Sequence, residues 1–277
     1  MKVTARYMRA DDLTIITCSY NTPTITECML KSYAKYHEGK HKIIIIENSS
    51  PDDTTRDVLK KYNIPYVDGH DVLPPAPEEH GWGWSHHKGV DWAIRRCTTR
   101  YCLIVDTDII FQQNLEKMYK HFTSDESAVA LGPHTSRRRP FKYDENFVCV
   151  NPKQKYILPR IHPCFTLLDT NFFKEHEDIT YNGSPETGPI EMIDKLGHED
   201  SYDVGSYVLL RIRELGKTTI NIRHDKYFQH GEGLSWAGKT DMLEYYEKVV
   251  YNRLSDIDIT DRFYTDIDYD RYNIIIK

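Results

Sequence analysis

No run of apolar residues in this 277-residue chain approaches the ~18 needed to cross a membrane. The opening stretch, MKVTARYMRADD, also lacks the apolar core of a signal peptide. A soluble, cytoplasmic protein is expected. The six cysteines (Cys18, Cys28, Cys97, Cys102, Cys149 and Cys164) are scattered, mostly within apolar runs, with no CxxC pair. That argues against a disulfide framework or a cysteine zinc site and for reduced, packed thiols. Positive charge is not in excess: the net charge of −6 offers nucleic acid no general attraction, although a local basic patch can still exist. Glycine-rich phosphate signatures are missing as well. No GxxxxGK[ST] follows an apolar run, which excludes a P-loop phosphotransferase, and Gly81-Trp82-Gly83 is too short for a dinucleotide fingerprint. There is no internal repeat. What remains, 39% hydrophobic and 28% charged, is ordinary for a globular chain forming one large α/β domain or two small ones. The twenty tyrosines suit many amphipathic contact surfaces and point to no particular function.

The chain is organised around Tyr101-Cys102-Leu103-Ile104-Val105-Asp106-Thr107-Asp108-Ile109-Ile110-Phe111. An apolar run of this kind reads as a strand covered on both faces, as in the parallel sheets of α/β folds. Such sheets present ligands at the carboxyl ends of their strands, where Asp106 and Asp108 stand. Each carboxylate costs several kcal/mol to bury unpaired. A divalent cation carrying phosphates would offset that cost; alternatively the pair caps the next helix or binds an arginine.

Other elements fall in order around this stretch. Leu13–Ile16 reads as a first strand, opening into Thr17-Cys18-Ser19-Tyr20-Asn21, with Thr22 as cap and Pro23 at the start of a helix reaching about Tyr36. Lys42–Glu47 is a central strand, followed by a turn and a helix capped by Ser50 with Pro51 at its first position. Ile64–Val67 is a short third strand. A Pro- and Gly-rich loop then leads to a helix capped by Ser85, which places His86, His87 and Lys88 in its first turn. Free N–H groups there favour an anion, so these residues are either a phosphate site or a solvated polar turn. A helix to about Phe122 and strands Ala128–Leu131 and Cys164–Leu168 follow. The acidic stretch Glu199-Asp200-Ser201-Tyr202-Asp203 precedes a helix from Val204 to Leu215, stopped by Gly216. A strand at Thr218–Ile222, the His230-Gly231 loop and a last helix, Lys239 to Arg253, complete the body. From Ser255 the chain carries six aspartates, expected as an extended edge, an oligomer arm or a solvated tail. Arg137, Arg138, Arg139 and Lys142 form the best candidate surface for a polyanionic acceptor, the alternative being plain exposed surface.

This series resembles the GT-A class of nucleotide-sugar glycosyltransferases, most closely the family-2-like branch. The features that carry the resemblance are the Thr17–Asn21 loop, the Glu47-Asn48-Ser49-Ser50 loop, His87–Ile94 before Asp106-Thr107-Asp108, the acidic Glu199-Asp200 and the late His230-Gly231. It is good from Leu13 to Phe111, looser to Trp236, and absent from the last forty or so residues. The resemblance implies a GT-A-like, mainly parallel twisted sheet flanked by helices. Residues 1–112 would be the nucleotide-sugar half, 113–253 the acceptor half and 254–277 an acidic tail. It implies transfer of a sugar from a nucleoside-diphosphate sugar, UDP favoured, to a hydroxyl acceptor: a glycan, a small molecule or a hydroxymethylated base in DNA. Thr17, Ser19, Tyr20, Asn21, Glu47, Asn48, Ser49, His87, Lys88, Asp106 and Thr107 would line the nucleotide. Asp106, Asp108 and His230 would hold Mn2+ or Mg2+, and Asp200, or else Glu199, would take the acceptor proton. Two rivals stand beside this reading. A sugar nucleotidyltransferase should have glycines in the first loop, which Thr17–Asn21 lacks, and a non-catalytic nucleotide-binding module has no need of the acids at 106, 108, 199 and 200.

Overall fold

Leu13–Ser19 (β1) and His41–Glu47 (β2) alternate two sets of apolar side chains, and both sets are buried. Leu13, Ile15, Ile43 and Ile45 face one core layer; Ile16, Cys18, Ile44 and Ile46 face the other. Period-2 burial on both faces requires helices on both sides of the sheet. The computed structural model describes residues 12–49, 53–74, 83–135, 160–181, 205–223, 226–231, 240–267 and 274–275. In chain order, Pro23–Tyr36 (α1) and Thr55–Lys61 (α2) flank β2. Tyr66–Asp68 (β3), Gly69–Val72 (α3), Gly83–Arg96 (α4), Tyr101–Val105 (β4), Ile109–Phe111 (β5) and Glu116–Thr123 (α5) follow. The second half contains Ala128–Gly132 (β6), His134–Thr135 (β7), Arg160–Ile161 (β8), Phe165–Asp169 (β9), Thr170–Glu175 (α6), Ser206–Glu214 (α7), Thr218–Asn221 (β10) and Phe228–His230 (β11). A terminal helical run joins Thr240–Tyr245 (α8), a π turn at Tyr246–Val250 and Tyr251–Arg253 (α9), before Phe263–Tyr264 (β12) and Ile274–Ile275 (β13).

The nine-stranded sheet runs β10-β6-β9-β4-β1-β2-β3-β13, with β12 also pairing β2. Its centre is parallel (β4, β1, β2 and β3), and β10 is parallel to β6. β9 enters antiparallel between β4 and β6, which makes the sheet mixed but mainly parallel. Helices α1, α2 and α5 cover one face, while α4, α6 and α7 cover the other. This is the doubly covered α/β sheet expected of the GT-A class. Among the described residues no helix is long and apolar enough to cross a membrane.

Several boundaries differ from the sequence expectation. α4 begins at Gly83, before Ser85, so His86, His87 and Lys88 lie past its free N–H groups rather than in the first turn. Thr22 does occupy the cap position of α1, but its hydroxyl bonds Thr26 and Thr107 instead of a helix amide. α2 starts at Thr55, with the Asp53 carboxylate accepting the Thr55 N–H at 2.7 Å; Ser50 and Pro51 lie outside the described residues. α7 starts after Gly205, whose φ of +82° is open to glycine. The acidic stretch from Asp256 is not simply solvated, because Ile259, Phe263 and Ile267 are buried and β12 extends the sheet beside the start of β2.

Candidate active site

β4 ends at Val105, and the chain reverses through Asp106-Thr107-Asp108, closed by the Ile109 N–H on the Asp106 carbonyl at 3.2 Å. The Asp106 N–H is held by the Cys164 carbonyl at 2.9 Å, which ties the turn to the strand next to β4. Beyond the turn, β5 leaves the main sheet and pairs antiparallel with β11, so that His230 stands opposite Ile109. Phe228 stacks on Phe165 at 4.2 Å and anchors that small sheet to the core. The consequence is local: His230 Nε2 lies 3.3 Å from Asp108 Oδ1. Ligand atoms of Asp106, Asp108 and His230 all lie within 4.8 Å of one another. Asp108 is fully buried, whereas Asp106 and His230 are each about one-fifth exposed.

Two further histidines shape the charge here. His86, on α4, approaches Asp106 Oδ1 to 3.0 Å, and the His162 ring meets that of His230 edge-on at 5.6 Å. Withdrawal from water opposes ionisation of Asp106. The His86 hydrogen bond and the charges of His86, His230 and His162 outweigh it and hold the carboxyl well below the usual carboxylate range. For His86 the balance is mirrored: burial disfavours its charge, but Asp106 and then Asp108 raise it above an ordinary imidazole. Burial, then the neighbouring His86, push His87 down to about 3, so it is neutral at physiological pH. The close seat of α4 that makes this possible depends on Gly89, where an added Cβ would lie 2.7 Å from Cys18 Sγ.

The loops after β1 and β2 are laced together. Asn48 N–H donates to the Ser19 carbonyl at 2.9 Å, and Asn21 N–H to Ser49 Oγ at 2.7 Å, with Asn21 at φ 50°. Thr17 and Ser19 are fully buried, Tyr20 is exposed, and the buried Thr107 meets the Thr22 hydroxyl at 3.4 Å. Glu47 is fully buried with both oxygens engaged inside the protein, one by the Ser49 N–H at 2.7 Å and one by Arg56 at 2.5 Å. Arg56 also pairs Asp68 at 3.0 Å, so Glu47 anchors the loop on which Asn48 and Ser49 stand.

The structure thus gathers Asp106, Thr107, Asp108 and His230, with the two strand-end loops and, from the adjoining helix, His86 and His87; Lys88 follows on the same helix, half-buried. Glu199, Asp200 and Asp203, and the Arg137–Lys142 run, lie outside the described residues. The sequence grouped His86 with His87 and Lys88 as a phosphate site or a solvated polar turn, not as a partner of Asp106, and gave no role to His162, Arg56 or Tyr246. A spacing rule had little hold on any of them, since each reaches its partner through a tertiary contact.

Residues 14–155, just over half the chain, match the sequence model of glycosyl transferase family 2. This chain belongs to that family. The match takes in both strand-end loops and the Asp106–Asp108 turn, the features that carry the glycosyltransferase resemblance. No curated protein matches the transferase in sequence. Among solved structures it is similar to a mannosyltransferase from Pyrobaculum calidifontis in complex with GDP-Man and Mn2+, at 14% identity and TM-score 0.47 over 80% of this chain and 57% of that one. It is also similar to TarS 1-349 of S. aureus in complex with UDP-GlcNAc, at 14% identity and TM-score 0.47 over 90% and 68%. A third similar structure is mouse xyloside xylosyltransferase 1, at 11% identity and TM-score 0.46 over 76% and 85%. The transferase therefore spans little more than half the length of the first of these.

Proposed function

We propose that this transferase moves a sugar from a nucleoside-diphosphate sugar to a hydroxyl acceptor, using a divalent cation held by Asp106, Asp108 and His230. The observation that carries the reading is the convergence of those three ligand atoms within 4.8 Å at the carboxyl end of the central sheet. Two carboxylates and one imidazole suit Mg2+ or Mn2+, with the nitrogen favouring Mn2+. When bound, such a cation would offset the charge that builds on the departing diphosphate.

The chain's own groups supply the rest. His86 keeps Asp106 ionised and oriented. The laced loops turn Tyr20, Asn21 and Asn48 toward a nucleoside, UDP by family resemblance, with the buried Thr17, Ser19 and Ser49 bracing them from within and Glu47 holding the second loop in place. Thr107 braces the turn, and His87 and Lys88 on α4 lie on the diphosphate side. Asp200, or Glu199, takes the proton of the acceptor hydroxyl as its oxygen bonds the sugar carbon and the bond from that carbon to the diphosphate breaks. In this reading residues 1–112 hold the donor and 113–253 face the acceptor, with His230 reaching across. A cytoplasmic location belongs to the same reading and is supported by the cysteines, all free among the described residues.

The deciding experiment incubates the purified chain with a panel of nucleoside-diphosphate sugars, with and without Mn2+ or Mg2+, and follows release of the nucleoside diphosphate. Release that needs the cation and is lost in a folded Asp108→Ala chain is expected. Near-normal turnover by Asp108→Ala with the cation present would overturn the reading. The acceptor class is resolved in the same assay by adding glycans, small alcohols or hydroxymethylated duplex DNA. If DNA is the acceptor through Arg137, Arg138, Arg139 and Lys142, binding should weaken steeply with salt, and each lost phosphate contact should lower the log–log slope by about one.

A further inference from the structure

The Asp108 carbonyl takes hydrogen bonds from two segments distant in the chain: the Gly231 N–H at 2.9 Å and the Tyr246 hydroxyl at 3.1 Å. Gly231 directly follows His230, so its bond secures the loop that delivers the imidazole. Tyr246 belongs to the terminal helical run, supplies no ligand atom, and is fully buried in a cluster with Ile25, Cys28, Val250 and Leu254.

The backbone explains how one helix reaches this far. From Tyr246 to Val250 the hydrogen bonding is of π type, and the Tyr251 N–H donates to the Tyr246 carbonyl five residues back. On an α-helix residues five apart point about 140° away from each other. A π turn closes over five residues, so Tyr246 and Tyr251 come round toward the same side. Both then face α1. Tyr246 packs on Ile25 and Cys28 and extends its hydroxyl to the Asp108 turn. Tyr251 reaches Glu27 Oε1 at 3.4 Å and lies beneath Lys31 Nζ, 5.3 Å from its ring centroid. Glu27 also accepts from the Tyr62 hydroxyl and pairs Lys31 at 3.1 Å, a buried polar anchor joining α1 to Tyr62 and Tyr251.

We infer that Tyr246 is a positioning residue of the cation site: its hydroxyl, turned inward by the π turn, sets the Asp108 backbone so that both carboxylates and His230 converge. The inference rests on the cation reading above. Groups that orient ligands from behind typically change metal affinity 10–100-fold when removed. The test measures Mn2+ binding to the full chain without any donor, from the loss of the free-ion EPR signal. Tyr246→Phe keeps the ring and removes only the hydroxyl; it should weaken Mn2+ binding about 10-fold while Tm falls only by a few degrees. Glu27→Gln, which loosens that polar anchor, should lower Tm and leave Mn2+ affinity unchanged. Asp108→Asn should abolish binding. Affinity within twofold of the parent for Tyr246→Phe, with Asp108→Asn inactive in binding, would overturn this inference alone. Equal weakening by Glu27→Gln would also overturn it, by showing a general loss of structure. Mn2+ binding retained by Asp108→Asn would overturn the cation reading and this inference with it.

Discussion

Asp106 and Asp108 stand two residues apart and meet different surroundings. Asp106 is partly open and partnered by His86, whereas Asp108 is sealed in and faces His230. Replacing Asp108 by Asn removes a buried negative charge beside another carboxylate. In chelator the Asp108→Asn chain is therefore expected to melt no lower than the parent, while divalent-dependent turnover falls ~100-fold or more. A drop in apo Tm of several degrees by scanning fluorimetry would show that Asp108 is a structural partner first. His37 offers a separate prediction. It is buried, stacked on Tyr33 at 4.1 Å, bonded through Nδ1 to the Tyr33 carbonyl, and its Nε2 accepts the Leu115 N–H. Burial pushes it down to about 4 from an ordinary 6.5. The unfolded chain therefore binds a proton that the folded chain refuses between those values. Stability is full above about pH 6.5 and is lost as pH falls toward 4, by about 3 kcal/mol from this residue. Urea midpoints from pH 7 to 4.5 should fall accordingly, and His37→Gln should flatten the slope. At this scale the two aspartates were legible because they interrupt an apolar run, and His230 because the family resemblance carries a late His-Gly stretch. The roles of His86 and His162 were not, since these differ from surface histidines only in what they touch.

Elements were more readable than residues, and for a physical reason. β1, β2 and β4 are buried on both faces, so each shows an apolar stretch: Ile15-Ile16 within β1, Ile43–Ile46 within β2 and all of β4. β11 is three residues long, alternates in burial, and finds its partner β5 more than a hundred residues away. Nothing local distinguishes it from a loop, yet it is what delivers His230. The start of α4 was placed two residues late because Gly83 reads as loop and Ser85 as a cap. Gly89 tests the seat of that helix. Gly89→Ala places a methyl group 2.7 Å from Cys18 Sγ and 3.3 Å from Ile46, too close unless α4 shifts outward. The cost is expected at about 1–3 kcal/mol, offset in part by better helix propensity. Because the shift draws His86 away from Asp106, donor turnover should fall further than the loss of stability predicts. Thermal melts paired with kcat/KM measure both. Unchanged kinetics with a lowered Tm would mean that the seat of α4 serves packing alone.

For the molecule as a whole, the last stretch was the most ambiguous. Asp256, Asp258, Asp261 and Asp266 left an extended edge, an oligomer arm and a solvated tail all open, but Ile257, Ile259, Phe263 and Ile267 are interleaved with them. Three of those four are buried, and Phe263 packs near Tyr33 and His41. That alternation is the mark of an edge segment with one face inward, the first of those readings. Phe263→Ala is expected to cost about 3–5 kcal/mol. A chain ending at Arg253 should lose its cooperative melt altogether, although every proposed cation ligand is retained.

One side of β2 is completed by β1 along nearly its whole length, but the other side is shared. β3 takes the carboxyl end, and β12, more than two hundred residues later, takes the amino end at His41 and Lys42. While a ribosome is still producing the chain, that amino end has bare backbone groups in the middle of the nascent sheet, with the isoleucines of β2 alongside. An unpaired edge of this kind pairs readily with a neighbour's. Stalled or truncated chains should therefore cluster on polysomes through β2, and light scattering during synthesis should decline once residue 264 has cleared the exit tunnel.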